Sequence, residues 1–520
     1  MSREWGKQGI SLVWSTLSGI LLISIFPLWG KSGLAWVALL PLLWLVCTTE
    51  GRGLFWYGWW TGIVFFSGLL YWLSGTMVRY GGLPLILSRL SLLLLCLYLG
   101  LYVASFSVLL RYALRRTRVP FSILAPTLWV ALEWVRSYLL TGFPWGLLGY
   151  SQARSAVFVQ CADLAGVYGI SFLIVFVNAA LADIIRWYVS PGPGERAQRR
   201  IVRETLALGL VITIAAGYGL FRLHTPVFPA PGSGATGGPL AVALIQGNIP
   251  QEMKRDVAQS YTILAEYGRM SMALPDRPGR LVIWPETACN ATALPGEGTT
   301  FSVVSGWAQR IGSPLLLGCP RYALDREGAF NSAFLLSPTG ELTGFYDKMH
   351  LVPFGEYFPF QWVADALGGM GSFLRGNDVT VFPIQGRFFS VIICFEAIFP
   401  DLCRRFVREG ADFLVNLTND AWFGDTAAPY QHFDMACMRA VENRVWLARA
   451  ANTGISAIVD PWGRVVRRGG IFERLVIEGE IGANPPSSLY VGIGDLFAWV
   501  CLFFSFVWCV MIIHKGLKGA

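Results

Sequence analysis

Seven stretches of this chain stay apolar for longer than a buried strand needs: residues 10–28, 54–73, 83–110, 120–140, 164–189, 205–220 and 491–513. Most approach or exceed the ~20 residues that cross ~30 Å of hydrocarbon. A shorter run, 33–49, follows the turn "WGKSG" and reads as the second arm of a helical hairpin with the first. Eight spans are therefore expected. The balance of the chain agrees, with 54% hydrophobic and only 14% charged residues among 520, well outside the usage of an ordinary soluble enzyme. No small-residue cleavage pattern follows the first run, so it reads as a span and not as a signal peptide.

Lysine and arginine set the expected orientation. Arg111, Arg115, Arg116 and Arg118 follow the fourth span, and Arg186, Arg196, Arg199, Arg200 and Arg203 follow the sixth. Arg3, Lys7, Arg52, Lys515 and Lys518 fall on the same side, whereas the alternate loops hold Lys31, Arg79 and Arg154. That side is expected to be the cytoplasm, with both termini there. Residues 241–482 follow the seventh span and are expected outside. They carry 21 Lys+Arg against 25 Asp+Glu, and the rest of the chain 20 against 8. The total of +8 is thus a positive-inside bias and no nucleic-acid footprint.

The Pro/Gly-rich "TPVFPAPGSGATGGP" marks a linker. The expected division is residues 1–225 for seven spans, 226–240 for the linker, 241–482 for an outer domain and 490–520 for the last span and tail. Within 241–482, short apolar runs bounded by turns ("AVALIQGN", "RLVIWPE", "SPLLLGC", "SAFLLSP", "VIICFE", "ADFLVNLTN", "SAIVD") alternate with segments of helical spacing at 260–274, 299–311 and 430–450. This alternation predicts one α/β domain. The domain holds five cysteines, Cys289, Cys319, Cys394, Cys403 and Cys437, so in an oxidising compartment at least one keeps its thiol.

Ionisable residues stand just past strand ends, where open α/β sheets place their ligand sites: Glu286, Lys348, Cys394 and Glu396. A thiol, a carboxylate and an ammonium together suit acyl transfer through a thioester. An ordinary thiol is mostly protonated at neutral pH and needs a base, for which Glu286 serves. The oxyanion that develops on the attacked carbonyl needs fixed donors, for which Lys348 and the backbone N–H of Phe395 serve. His350 and His432 are alternative bases. Each residue alone has a structural reading as a cap, a solvated turn lysine or a small core residue; the combination favours chemistry.

At these positions "IWPE", "YDKMHLVPFGEYFP", "ICFE" and "NDAWFG" resemble the nitrilase superfamily. That resemblance implies an α-β-β-α sandwich, with Glu286 as base, Lys348 beside the oxyanion, Cys394 as nucleophile and Glu356 as a supporting second glutamate. "LEWVRSYLLTGFPWGLLGYSQ", "QGNIPQEMK" and "MRAVENRVWLARAANTGISAIVDPWG" are similar to bacterial apolipoprotein N-acyltransferases. The fold this implies is a membrane α-helical bundle of about eight transmembrane helices plus an extracytoplasmic α/β nitrilase-like domain, in the bacterial inner membrane and facing the periplasm. The activity it implies is transfer of a fatty acyl chain from a phospholipid, with phosphatidylethanolamine as the expected donor, to the α-amine of the lipid-modified N-terminal cysteine of an apolipoprotein.

Further expectations complete this reading. Glu396 orients substrate or neighbouring loops, Asn419 and Trp422 contact substrate, Trp422 and Phe423 line an acyl channel, and the segment 351–376 acts as a lid. Phe395 stands where many relatives have tyrosine, and Arg255 where an aromatic is common. Glu133 and Arg136, three apart on a helix, are expected to form a structural ion pair. No cofactor, metal or nucleic acid is expected, and the protein is expected to be a monomer. The rival readings are a membrane-tethered amidase of the nitrilase type and an inert docking module.

Overall fold

Long apolar sequence leaves the backbone no hydrogen-bond partner but its own, and residues 2–223 accordingly form helices wherever the structure is regular. The computed structural model describes residues 2–518 except 51–52, 191–194, 226–237, 291–293, 296–298, 324–327 and 358–372. It divides into two units, Met1–His224 with Ile493–Ala520, and Thr225–Gly492. The expected linker and most of the expected lid lie outside the described residues, as does the side chain of Arg255.

The first unit contains α1 (Ser2–Ser24), α2 (Leu40–Thr48), α3 (Gly53–Leu69), α4 (Trp72–Arg79), α5 (Leu85–Arg116), α6 (Phe121–Tyr138), α7 (Ala162–Val189) and α8 (Glu195–Leu223), and ends with the helix Leu496–Lys518. Small residues let α3 and α5 approach, since a Cβ on Gly62 would lie 2.6 Å from the Cα of Gly100. Among the described residues, three helices are long and apolar enough to cross a membrane: Leu85–Arg116, Phe158–Val189 and Gln198–Leu223. A fourth span results if α3 and α4, bent by 54°, count as one. The first, second and last expected spans are shorter apolar helices, Gln8–Ser24, Ser32–Thr48 and Leu496–Ile512.

Glu133 and Arg136 attract one another as expected, but their hydrogen bonds go elsewhere. Glu133 accepts from the N–H of Leu148 at 2.8 Å, and Arg136 donates to the carbonyls of Phe143 at 3.0 Å and Trp145 at 2.7 Å. Both fasten the irregular segment that follows α6, whose backbone groups lack helical partners. The role is structural, as expected; these hydrogen bonds run to backbone, and Arg136 also lies over the Phe66 ring, 5.3 Å from its centroid.

The second unit is a pair of facing sheets. One has the order β13-β1-β2-β3-β4-β5, with β6 beside β4, and the other β12-β11-β10-β9-β8-β7. In chain order the strands are β1 (Leu240–Gln246), β2 (Leu281–Ile283), β3 (Leu315–Tyr322), β4 (Ala329–Leu336), β5 (Leu342–Asp347), β6 (Phe373–Leu374), β7 (Phe382–Ile384), β8 (Arg387–Ile393), β9 (Phe413–Thr418), β10 (Trp446–Ala451), β11 (Ala457–Val459), β12 (Val465–Arg468) and β13 (Leu475–Ile481). β1, β2 and β3 run parallel, as do β8, β9 and β10.

Alternation along β2 shows how sequence builds the layers. Leu281 and Ile283 join a core shared with Val391 and Leu417 of the opposite sheet. Val282 and Trp284 face outward into a second core with Ile263 and Leu264 of α10 (Ser260–Met272) and Val304 of α11 (Thr300–Ile311). A short α9 (Gln251–Arg255) precedes these helices. On the second sheet, α12 (Pro400–Arg408) and α13 (Ala428–Asn443) contribute Phe406, Phe433 and Ala436. Helix, sheet, sheet, helix is the expected sandwich.

One expected helix is corrected. Helical spacing over 430–450 predicts a helix to its end, but α13 stops at Asn443 because Arg444 takes a left-handed conformation (φ 54°). Residues 446–451 then form β10. The run "VWLARAA" is apolar enough to fill a central parallel strand, and parallel pairing with β9 outweighs helical spacing.

Candidate active site

Four strands end at one site. Glu286 follows β2, Lys348 follows β5, Cys394 follows β8 and Asn419 follows β9. The Glu286 turn lies tight on β3, where a Cβ on Gly318 would come within 2.7 Å of the Glu286 Cα. A disulfide joins Cys289 to Cys319, with Cα atoms 5.1 Å apart, three residues past Glu286 and one past Gly318. Cys394, Cys403 and Cys437 remain thiols. Only Cys394 of these stands at a strand end; Cys403 lies in α12 and Cys437 in α13, both buried.

Asn331 of β4, absent from the sequence reading, organises the acids. Its Nδ2 donates to Glu286 Oε1 at 2.8 Å and to Glu356 Oε1 at 2.9 Å. Glu286 Oε2 accepts from the N–H of Asn419 at 2.8 Å. Lys348 donates to Glu356 Oε1 at 2.8 Å and lies 3.6 Å from Glu286 Oε1. Glu356 Oε2 accepts from the N–H of Val352 at 2.8 Å. One ammonium and one amide thus hold two carboxylates in line, Glu286 buried and Glu356 partly buried.

Electrostatics follow from this arrangement. Burial alone would strip the Lys348 proton, but Glu356 and then Glu286 outweigh it, and the ammonium is held above the usual lysine value. Burial, then the negative charge of Glu286, push the Cys394 thiol well up, while Lys348 and a hydrogen bond with Thr418 oppose this and lose. The resting sulfur is therefore protonated beside a carboxylate. Lys254 is a further buried cation that sequence reasoning did not single out. It donates to the Glu286 carbonyl at 3.1 Å, and burial draws its pKa to about 7 against the opposing pull of Glu286.

Cys394 opens a short 3-10 turn, Cys394–Ile398. The N–H of Phe395, in the first turn, has no intrahelical acceptor and can meet an oxyanion. The phenyl ring packs against His350 and Phe399, with centroids 5.9 and 5.2 Å away. His350 stacks on Phe399 at 3.7 Å, and burial, then Arg375 and Lys348, lower its pKa to about 4. Its imidazole is therefore neutral near pH 7.

Residues 241–484 match the carbon-nitrogen hydrolase family, and residues 18–180 match the N-terminal domain of apolipoprotein N-acyltransferase. A protein of Geobacter metallireducens named apolipoprotein N-acyltransferase is 41% identical over 495 residues, covering 94% of this chain and 92% of that one. The chain belongs to the apolipoprotein N-acyltransferase family. A second family member, from Agrobacterium fabrum, is 35% identical over 459 residues, 82% of this chain and 81% of its own. Among solved structures, a CN-hydrolase superfamily protein from Xanthomonas campestris aligns with 21% identity over 48% of this chain and 92% of its own, at a TM-score of 0.38.

In this N-acyltransferase, two residues expected to contact substrate are committed elsewhere. Glu396 is fully buried. Its Oε1 accepts from Tyr346 Oη at 2.7 Å and from the N–H groups of Met349 at 2.7 Å and His350 at 3.0 Å, and its Oε2 from Ile393 N–H at 2.7 Å. It ties the Lys348 loop to the Cys394 turn, the second of its two expected roles, because no carboxylate oxygen is left to face a ligand. The Asn419 side chain is taken by Gln251 at 2.8 Å and Asn452 at 3.0 Å, so its service to the site is the backbone N–H on Glu286. Trp422 is half-buried within the 3-10 turn Asp420–Phe423.

Proposed function

We propose that this N-acyltransferase moves a fatty acyl chain from a phospholipid to the α-amine of the N-terminal diacylglyceryl-cysteine of an apolipoprotein, through a thioester on Cys394. The observation that carries the catalytic assignment is the Lys348 ammonium held between Glu286 and Glu356 while the thiol nearby stays protonated.

In the first half, Glu286 takes the Cys394 proton and the sulfur attacks the ester carbonyl. Lys348 and the Phe395 N–H stabilise the oxyanion, and as the C–O bond breaks Glu286 returns the proton to the departing lysophospholipid. In the second half the acceptor amine attacks the thioester, Glu286 takes a proton from nitrogen, the C–S bond breaks, and the sulfur regains a proton from Glu286. The N-acyl lipoprotein leaves. Glu356 holds Lys348 in place.

The same reading takes the chain as a multi-pass protein of the bacterial inner membrane with eight spans. The second unit faces the periplasm, both termini face the cytoplasm, phosphatidylethanolamine is the donor and the protein is a monomer. The basic loops support the orientation. A donor with two long tails also favours a membrane-bound site, since each CH₂ drawn from hydrocarbon into water costs ~0.8 kcal/mol. Incubation with phospholipid alone is expected to leave an acyl adduct on Cys394 by mass spectrometry, absent in Cys394→Ala. A wild-type protein that transfers acyl chains without ever showing the adduct would rule out the two-step route.

A further inference from the structure

The backbone at Cys394 sits where few residues settle, with a φ of +50°. Something must hold that peptide unit, and His432 of α13 is in place to do so. Its Nε2 is 3.0 Å from the carbonyl oxygen of Cys394. A carbonyl only accepts, so Nε2 carries the proton and donates. On the other side of the ring, Nδ1 lies 3.0 Å from Asp420 Oδ1 and 3.1 Å from Arg449 Nη2, and Arg449 donates to Asp420 Oδ2 at 2.8 Å. All three side chains are buried. Asp420 adjoins Asn419, whose N–H holds Glu286.

We propose that His432, fixed by Asp420 and Arg449, aims the oxyanion-binding N–H of Phe395 by gripping the other end of the same peptide unit. The peptide is planar and trans, so the Cys394 carbonyl and the Phe395 N–H point in opposite directions and turn together. A hydrogen bond on the oxygen fixes the direction of the N–H and, by polarising the unit, strengthens it as a donor. His432 is a positioning residue that acts through backbone. Either charge state of the ring does this, because Nε2 carries a proton in both. The inference rests on the thioester reading above.

The test compares two reactions of one sulfur in the full-length protein in detergent. Acylation by phosphatidylethanolamine passes through an oxyanion. Alkylation by iodoacetamide, in which sulfur displaces iodide from a saturated carbon, does not. Rates are taken per folded molecule, the folded fraction being isolated by gel filtration in detergent, because an unfolded chain also exposes Cys394 to alkylation. His432→Leu is expected to slow acylation about tenfold to a hundredfold, leaving the phospholipid KM and the alkylation rate within about twofold of wild type. His432→Gln, whose amide N–H can donate to the same oxygen, is expected to recover most of the loss. Equal slowing of both reactions, or no slowing of acylation, overturns the proposal. If His432→Leu does not fold, His432→Asn, too short to reach the carbonyl, carries the same comparison. A wild-type protein that forms no acyl adduct would refute the thioester reading itself, an outcome distinct from any difference among the variants.

Discussion

Arg136 in the helical unit is 4% exposed and Lys348 in the sandwich unit 1%, yet the two buried cations do different work. Arg136 spends its guanidinium on two backbone carbonyls. Other acids of the helical unit are paired as well: Asp163 takes Arg222 at 2.8 Å and the Tyr218 hydroxyl at 2.7 Å, and Asp183 takes Arg186 and Arg200 at 2.8 Å each. Lys348 is instead shared by two carboxylates beside a thiol that stays neutral. Closed pairs have no proton to give. In the shared set, moving the sulfur proton to Glu286 relocates one negative charge and leaves the total unchanged, and Lys348 is near both positions. Burial alone therefore does not mark a reactive site; an ammonium with more acids than it can neutralise does.

Glu286→Gln should break that imbalance most visibly. Acyl-enzyme formation is expected to fall by about a hundredfold to ten-thousandfold, the usual worth of a positioned base. The pH at which Cys394 becomes alkylated should move down at the same time, because the Glu286 charge that opposes thiolate formation is gone. Retained acylation, or an alkylation profile that moves up, would contradict the assignment.

Arg136→Met and Lys348→Met sharpen the contrast. Lys348→Met breaks a buried ion pair and should cost roughly 3–5 kcal/mol in thermal unfolding in detergent, and Arg136→Met leaves two carbonyls unpaired at roughly 1–3 kcal/mol each. Thioester formation per folded molecule should vanish only for Lys348→Met and stay near wild type for Arg136→Met.

A smaller effect concerns acid stability. Burial would raise the Asp420 carboxyl, but Arg449 and then His432 outweigh it and hold it at about 2, below its ordinary 3.8. A depressed acid contributes stability above its unfolded value and loses it as pH falls through its folded value. About 2 kcal/mol should therefore fade between about pH 4 and pH 2 in wild type, and that part should be missing from the unfolding curves of Asp420→Asn. The smallest change is expected for Trp422→Ala, a roughly threefold rise in phospholipid KM with kcat unchanged; a fall in kcat alone would place Trp422 in the core instead.

The sandwich could be read in advance from its apolar runs, and Glu286 and Cys394 are candidates because each closely follows such a run; Lys348 follows the mixed, antiparallel strand ending in Asp347 and is a candidate only as a charge past a strand end. Asn331 gave no such signal. It sits inside β4 beside Ser332, where two polar residues look like a strand entrance, and its importance arises only from pairing across the sheet. His432 is visible as a possible base, but its contact with the Cys394 carbonyl, and the part of Arg449, are hidden for a related reason: the two lie 38 residues and more from Cys394 in sequence, and packing alone unites them. Glu396 was visible as an acid at the right place, but only its four donors distinguish a fastener from a ligand contact. In the helical unit, hydropathy located the apolar runs but not their breaks, such as the 54° bend between α3 and α4.

The covalent link between Cys289 and Cys319 joins positions 30 apart and stitches the segment bearing Glu286 to the neighbouring strand. Bonds of this kind endure in oxidising surroundings, so the laboratory choice of reductant is itself a variable. A preparation kept in strong thiol would be assayed with that stitch cut, and only a matched sample without reductant would report on the enzyme with its turn intact.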